Sequence, residues 1–165
     1  MTVRVLLTEQ ELEYAAMIGA KRYYESVTHG RKDNAAVSQH ESGLWLHIAG
    51  ACGEIAVAKW AGQYWGGDIG TFKAADVGSR VQVRTRTKLN GELIVREKDN
   101  ADHAYVLVTG VGPELFLQGW CWGHEAKQPE YWKAYGGKPP AYFVPNEKLR
   151  PMHLPQTVRD RATVE

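Results

Sequence analysis

The 165-residue chain is 44% hydrophobic and 10% aromatic, enough for one domain with a real core and short for two. Twenty basic and nineteen acidic residues give a net charge of +1, so an anionic partner must be met by local clustering and not by a global field. No apolar run reaches membrane-spanning length, and "MTVRVLLTEQELE" lacks the apolar core and cleavage site of a secretory signal, so a soluble, cytoplasmic protein with no membrane partner is expected.

From Thr8, "TEQELEYAAMIGAKRYYESV" repeats apolar or small residues at helical spacing, and Thr8 with Glu11 fits a capping box. The polar stretch "THGRKDNAAVSQHESG" reads as a loop. "SGLWLHIAGACGEIAVAKWAG" then predicts a second helix, with Ser42 as its cap and Gly62 as its stop, apolar on most of its circumference. Glu54 is the exception. A carboxylate there is costly unless paired with a core arginine or bound to a cation, and both readings stay open. His47, Gly50, Ala51, Glu54 and Ala58 share its face.

"TFKAADV" predicts a short strand ending near Asp76, and "RVQVRTRTKL" the next. Asn90-Gly91 signals a hairpin, with "ELIVREK" returning. "DNADHA" reads as a turn, with His103 at the surface, and "YVLVTGV", "LFLQGWCW" and "AYFVP" as further strands. The domain is expected over residues 1–155, with a polar tail over 156–165. The tryptophan-rich stretch around Cys121 suits core packing, with base stacking as the alternative. Cys52 and Cys121 read as reduced thiols; Cys121-x-x-His124 lacks the second ligand pair that a zinc site needs.

With a strand's period of two, Val81, Val83, Thr85 and Thr87 take one side of "VQVRTRTK", and Gln82, Arg84, Arg86 and Lys88 the other. The bland reading is a solvated edge strand. Placed after a lone Asp76 and a buried Glu54, the face points to a divalent ion instead. Oxygen donors from Glu54, Asp76 and the Gln82 carbonyl favour Mg2+ or Mn2+ over zinc, and a nearby cation suits charge building on phosphorus. That is the chemistry of phosphodiester hydrolysis.

"GACGEIAVAKWAG", then Asp76, then "VQVRTRT" resembles the PD-(D/E)XK nuclease superfamily, in which a helix supplies a Glu, one strand the Asp, and the next (D/E/Q)-x-K. The resemblance extends more loosely through "YVLVTGV", "LQGW" and "AYFVPNEKLRPM" to small nucleases common in phages. It implies an α/β, restriction-endonuclease-like mixed sheet flanked by helices. It also implies a Mg2+- or Mn2+-dependent deoxyribonuclease acting in the cytoplasm, that of the host if phage-encoded. Glu54, Asp76 and Gln82 would be the metal ligands and Arg84 would fill the lysine slot. An arginine stays protonated, so it can hold phosphate but cannot act as a base. His47 and Lys88 are the accessory candidates for the proton, and Arg86 for the DNA backbone. The alternative is a degenerate nuclease fold that binds nucleic acid or a protein without cutting. Subunit pairing in nucleases that cut two strands makes a homodimer an expectation by analogy alone.

Overall fold

The structure, a computed structural model, describes residues 1–30, 42–69 and 75–159. Its first element is a strand that no sequence signal announces. β1 (Val3–Leu6) pairs antiparallel with β5 (Glu114–Trp122), burying Val5 while its neighbours stay more open. Thr8 then caps α1 (Glu9–Thr28): its hydroxyl accepts from the Glu11 N–H, and the Glu11 carboxylate accepts from the Thr8 N–H. The second helix, α2 (Gly43–Ala61), starts on the Ser42 hydroxyl and stops at Gly62. It is buried along most of its length from Ala49 to Ala58, as a helix apolar all round requires. The polar loop expected between the helices, and the first half of "TFKAADV", lie largely outside the described residues.

β2 (Val81–Arg86), β3 (Leu93–Val95), β4 (Ala104–Val111), β5, the turn α3 (Gly123–Ala126), β6 (Trp132–Lys133), β7 (Ala141–Val144) and the turn α4 (Gln156–Arg159) complete the order. One sheet runs β1-β5-β4-β2, antiparallel except for the parallel β4/β2 pair, so it is mixed. Val81, Val83, Val106, Val108 and Leu117 share one core with Ile18, Ala51, Ile55 and Val57 of the helices. On the other face Tyr105, Leu107 and Cys121 meet Leu93, Val95 and Val144 of a smaller antiparallel sheet, β3-β7-β6. The described residues thus form an α/β domain with a mixed sheet, in which β2 is an edge strand. No helix among them is long and apolar enough to cross a membrane.

The hairpin expected at Asn90-Gly91 is corrected by the topology. β2 pairs with β4, and β3 pairs with β7. A two-residue type I′ hairpin needs positive φ at both central residues, and neither Asn90 nor Gly91 has it. Of the polar segment expected from Gln156, the first four residues form α4, whose Val158 is fully buried and whose carbonyl accepts from the Ser79 and Arg80 N–H groups. This clamps the turn before β2. Gly78 makes the turn, with φ of 60°, and a Cβ added there would sit only 2.1 Å from the Arg159 carbonyl oxygen.

α2 lies so close to β2 that a Cβ on Gly53 would sit 1.9 Å from Thr85 Oγ1, whereas one on Gly50 would meet nothing within 4 Å. Gly53→Ala is therefore expected to lose roughly 1–3 kcal/mol in urea melts. Gly50→Ala is expected to gain about 0.5–1 kcal/mol from helix propensity. Equal effects at the two positions would contradict the close approach.

Candidate functional site

The unpaired side of β2 is covered by the chain that leads into it. Val77 and Val81 exchange N–H and C=O at 3.2 Å, the Asp76 N–H donates to the Val81 carbonyl at 2.9 Å, and the Val83 N–H donates to Asp76 Oδ2 at 2.7 Å. An open strand edge is a liability for pairing with other chains, and Asp76 blunts this one. One of its oxygens does so. The other meets no hydrogen-bond donor among the described residues.

Glu54 is 8% exposed on the face of α2 turned toward this edge. Burying a carboxylate requires a partner, and Arg22 of α1 supplies a two-pronged one, Nη1 to Oε1 at 2.7 Å and Nη2 to Oε2 at 2.9 Å. Trp65 Nε1 donates to Oε2 at 2.9 Å, and the Arg22 guanidinium lies 5.7 Å from the Trp65 ring centre while its Nε holds the Asp68 carbonyl. Three of about four acceptor positions on Glu54 are thereby used. The core-arginine pairing left open by the sequence is present. Arg22 itself was legible: it continues the buried line Ala15, Ile18, Gly19 at helical spacing.

Asp76 has no such dedicated partner. Desolvation by burial and the neighbouring Glu54 charge push its pKa from 3.8 to about 7, against the Val83 N–H, Arg84 and Arg22, which act to lower it. Its ionised form is therefore costly at this edge unless a further positive charge comes close. A buried hydroxyl on the same edge, Thr85 Oγ1, also lacks a partner among the described residues.

Gln82 and Arg84 emerge on the opposite face of β2. Gln82 Nε2 lies 3.2 Å from His103 Nδ1, so the histidine read as a surface residue is a half-buried neighbour of the motif. The parallel pairing puts Gln82 beside Tyr105 and Arg84 beside Leu107. Arg84 donates to Asp99 Oδ2 at 2.9 Å and to the Val83 carbonyl at 3.3 Å, with its guanidinium 5.1 Å from the Tyr105 ring centre. Burial acts to lower the Arg84 pKa, but Asp99 and Asp76 outweigh it and leave it raised, so Arg84 stays charged. Gln82, Arg84, Lys98, Asn100, His103 and Tyr105 line a cavity of about 400 Å³ together with Asp99.

Glu54, Asp76 and Arg84 thus share one electrostatic neighbourhood across both faces of β2, with Gln82 on the Arg84 side. Arg86 ends the strand, half-buried beside Gly91. Lys88 falls beyond the strand and is exposed, so it does not continue the face as expected. His47 sits against Tyr23, ring centres 6.0 Å apart, in the first half of α2. Of the tryptophans, Trp120 is core, 4% exposed, and Trp122 packs edge-on against it. Both cysteines are buried free thiols.

Among the described residues no three His, Cys, Asp or Glu side chains gather as a metal-ligating group. The oxygen donors fit a more open arrangement. Mg2+ keeps several waters and takes one or two carboxylates plus substrate phosphate, and Asp76 has a carboxylate oxygen to give it, with Glu54 within range of its charge. Comparison with known proteins finds no matching family model and no significant match among curated proteins or solved structures.

Two expectations follow from this charge balance. Because the folded-state pKa of Asp76 lies above its ordinary value, the folded protein binds the proton more tightly between about pH 4 and 7, and metal-free stability falls as pH rises through that window. Asp76→Asn keeps an acceptor for the Val83 N–H and does not titrate. Its stability relative to wild type is expected to improve by roughly 1–3 kcal/mol from pH 4 to 8 in EDTA; a pH-independent difference would contradict the raised pKa. Arg22→Met leaves Glu54 buried without a counter-charge and is expected to cost about 3 kcal/mol, partly recovered by adding Glu54→Gln. Equal stability of the single and double variants would contradict the pairing.

Proposed function

We propose that this chain is a divalent-metal-dependent hydrolase of DNA phosphodiester bonds on a restriction-endonuclease-like frame. The observation that carries the reading is the Asp76 carboxylate, with one oxygen on the Val83 N–H and Glu54 in its electrostatic range, at the edge of the strand that also presents Gln82 and Arg84. Mg2+ or Mn2+, when bound, would neutralise the paired carboxylates and lower the pKa of a bound water. Asp76 would be the direct ligand. Glu54, fixed by Arg22 and Trp65, would act on the ion through its charge, while Gln82, on the strand's other face beside His103, would contact the nucleic acid rather than the ion. Arg84, permanently charged and held in place, faces phosphate and stabilises charge in the transition state, but takes no proton.

A second reading is favoured by one specific observation. Glu54 is already neutralised by a two-pronged arginine, which weakens its pull on a metal, so the same surface would suit binding of nucleic acid without cutting.

Cleavage of labelled single-stranded, duplex and branched DNA at low salt, in EDTA, Mg2+ or Mn2+, separates the two. The hydrolase reading predicts metal-dependent cutting that falls at least about 100-fold in Asp76→Asn, a variant expected to fold. Cutting that survives in Asp76→Asn would sink the assignment. Retained DNA binding with no cutting in any metal would transfer the conclusion to the binding reading.

A further inference from the structure

The cavity on the Gln82/Arg84 face has a size and lining that specify more than "nucleic acid". At about 400 Å³ it is in the range of small-molecule pockets and far too small for paired, stacked bases. It can accept one unstacked unit. Arg84, Lys98 and the side-chain amides of Gln82 and Asn100 bring donors to its lining. Asp99, the carboxylate in the lining, accepts from Arg84 and from the Arg96 N–H on one oxygen, Oδ2, and the Arg84 charge beside it offsets its own. The Asn100 side-chain oxygen accepts from the Asp102 N–H, which leaves its amide N–H groups for a ligand, and the Tyr105 hydroxyl donates to the Asn100 carbonyl.

Arg84 is pinned between Asp99 and the Tyr105 ring, so its plane is preorganised. A guanidinium has five N–H donors; two go to Val83 O and Asp99, so 5 − 2 = 3 remain. Lys98 at the rim is exposed and has no ion-pair partner among the described residues. Donors of both fork and point-charge type suit phosphate oxygens, and a held guanidinium plane suits the face of a base.

We infer that this cavity is a single-nucleotide pocket, which takes a phosphate on Arg84 and Lys98 and the attached nucleoside within its lining. The inference rests on the nucleic-acid reading above and narrows it: the strand is engaged through an unpaired nucleotide, not through the duplex.

The test is binding in EDTA, where no cleavage occurs. Thymidine 5′-monophosphate, thymidine and inorganic phosphate are titrated calorimetrically into the full chain, alongside thymidine oligonucleotides with and without a 5′-terminal phosphate. The monophosphate is expected to bind, with thymidine and inorganic phosphate each at least about tenfold weaker. Lys98→Ala, on an exposed side chain, is expected to weaken the monophosphate by roughly three- to tenfold with an unchanged melting temperature. A phosphorylated oligonucleotide that binds at least as tightly as the monophosphate supports a pocket for a strand's unpaired nucleotide, and the reverse order would overturn the engagement of a strand. No binding of the monophosphate at millimolar concentration, phosphate binding as tightly as the monophosphate, or an unaffected Lys98→Ala variant would overturn it. DNA cleavage without monophosphate binding removes the pocket and leaves the hydrolase reading standing. Monophosphate binding without cleavage does the opposite.

Discussion

Arg22 closes its fork on Glu54, and that one pairing decides how charge is distributed around the edge of β2. It ties α1 to α2, whose backbones also approach closely where Gly19 meets Ile48. It also holds the Glu54 carboxyl group in place within electrostatic range of Asp76. Because the guanidinium is committed to Glu54, Asp76 is left with a single backbone N–H and more distant cations, and it is Asp76 whose proton affinity rises. The proposed place for a divalent ion rests on this unequal sharing.

The edge position of β2 gives Asp76 two compatible tasks. One carboxylate oxygen caps the strand by accepting from Val83, which protects the edge from pairing with another chain. The second oxygen remains for an ion or a proton. The approach of α2 that makes this work depends on Gly53 against Thr85, and the turn that delivers Asp76 is held by α4 through Val158. Elements far apart in sequence therefore converge on a strand of six residues. Glu54 lies on its helix side, Asp76 at its edge, and Gln82 and Arg84 on the side of the cavity.

Local signals carried the two long helices and five of the strands, β2, β3, β4, β5 and β7. The Thr8/Glu11 box, the Ser42 cap and the Gly62 stop are chemistry within a few residues, and each is present in the structure. The alternation Val81/Val83 against Gln82/Arg84 also holds, because a period of two is imposed wherever one face is buried. What failed was pairing. Asn90-Gly91 looked like a hairpin, yet β2 finds its partner in β4, whose fully buried run from Ala104 to Gly110 is the stronger apolar surface. The same long-range pairing brings His103 to Gln82 and Tyr105 to Arg84, contacts that no local spacing announces. β1 was missed because four residues beside a helix cap carry too little alternation to stand out. Arg22 was readable in principle, but a buried arginine on a helical stripe announces its partner only once the second helix is in place.

Everything proposed for the chemistry depends on Asp76, beside Glu54, being a place for a divalent cation, and direct metal binding tests this without any assumption about substrate. Mn2+ titrated calorimetrically at pH 8 into wild-type and Asp76→Asn protein gives the answer. One saturable ion is expected in the wild type, with a rise in melting temperature on loading, and loss of both in the variant. No saturable binding in the wild type, or equal binding in the two proteins, would contradict it.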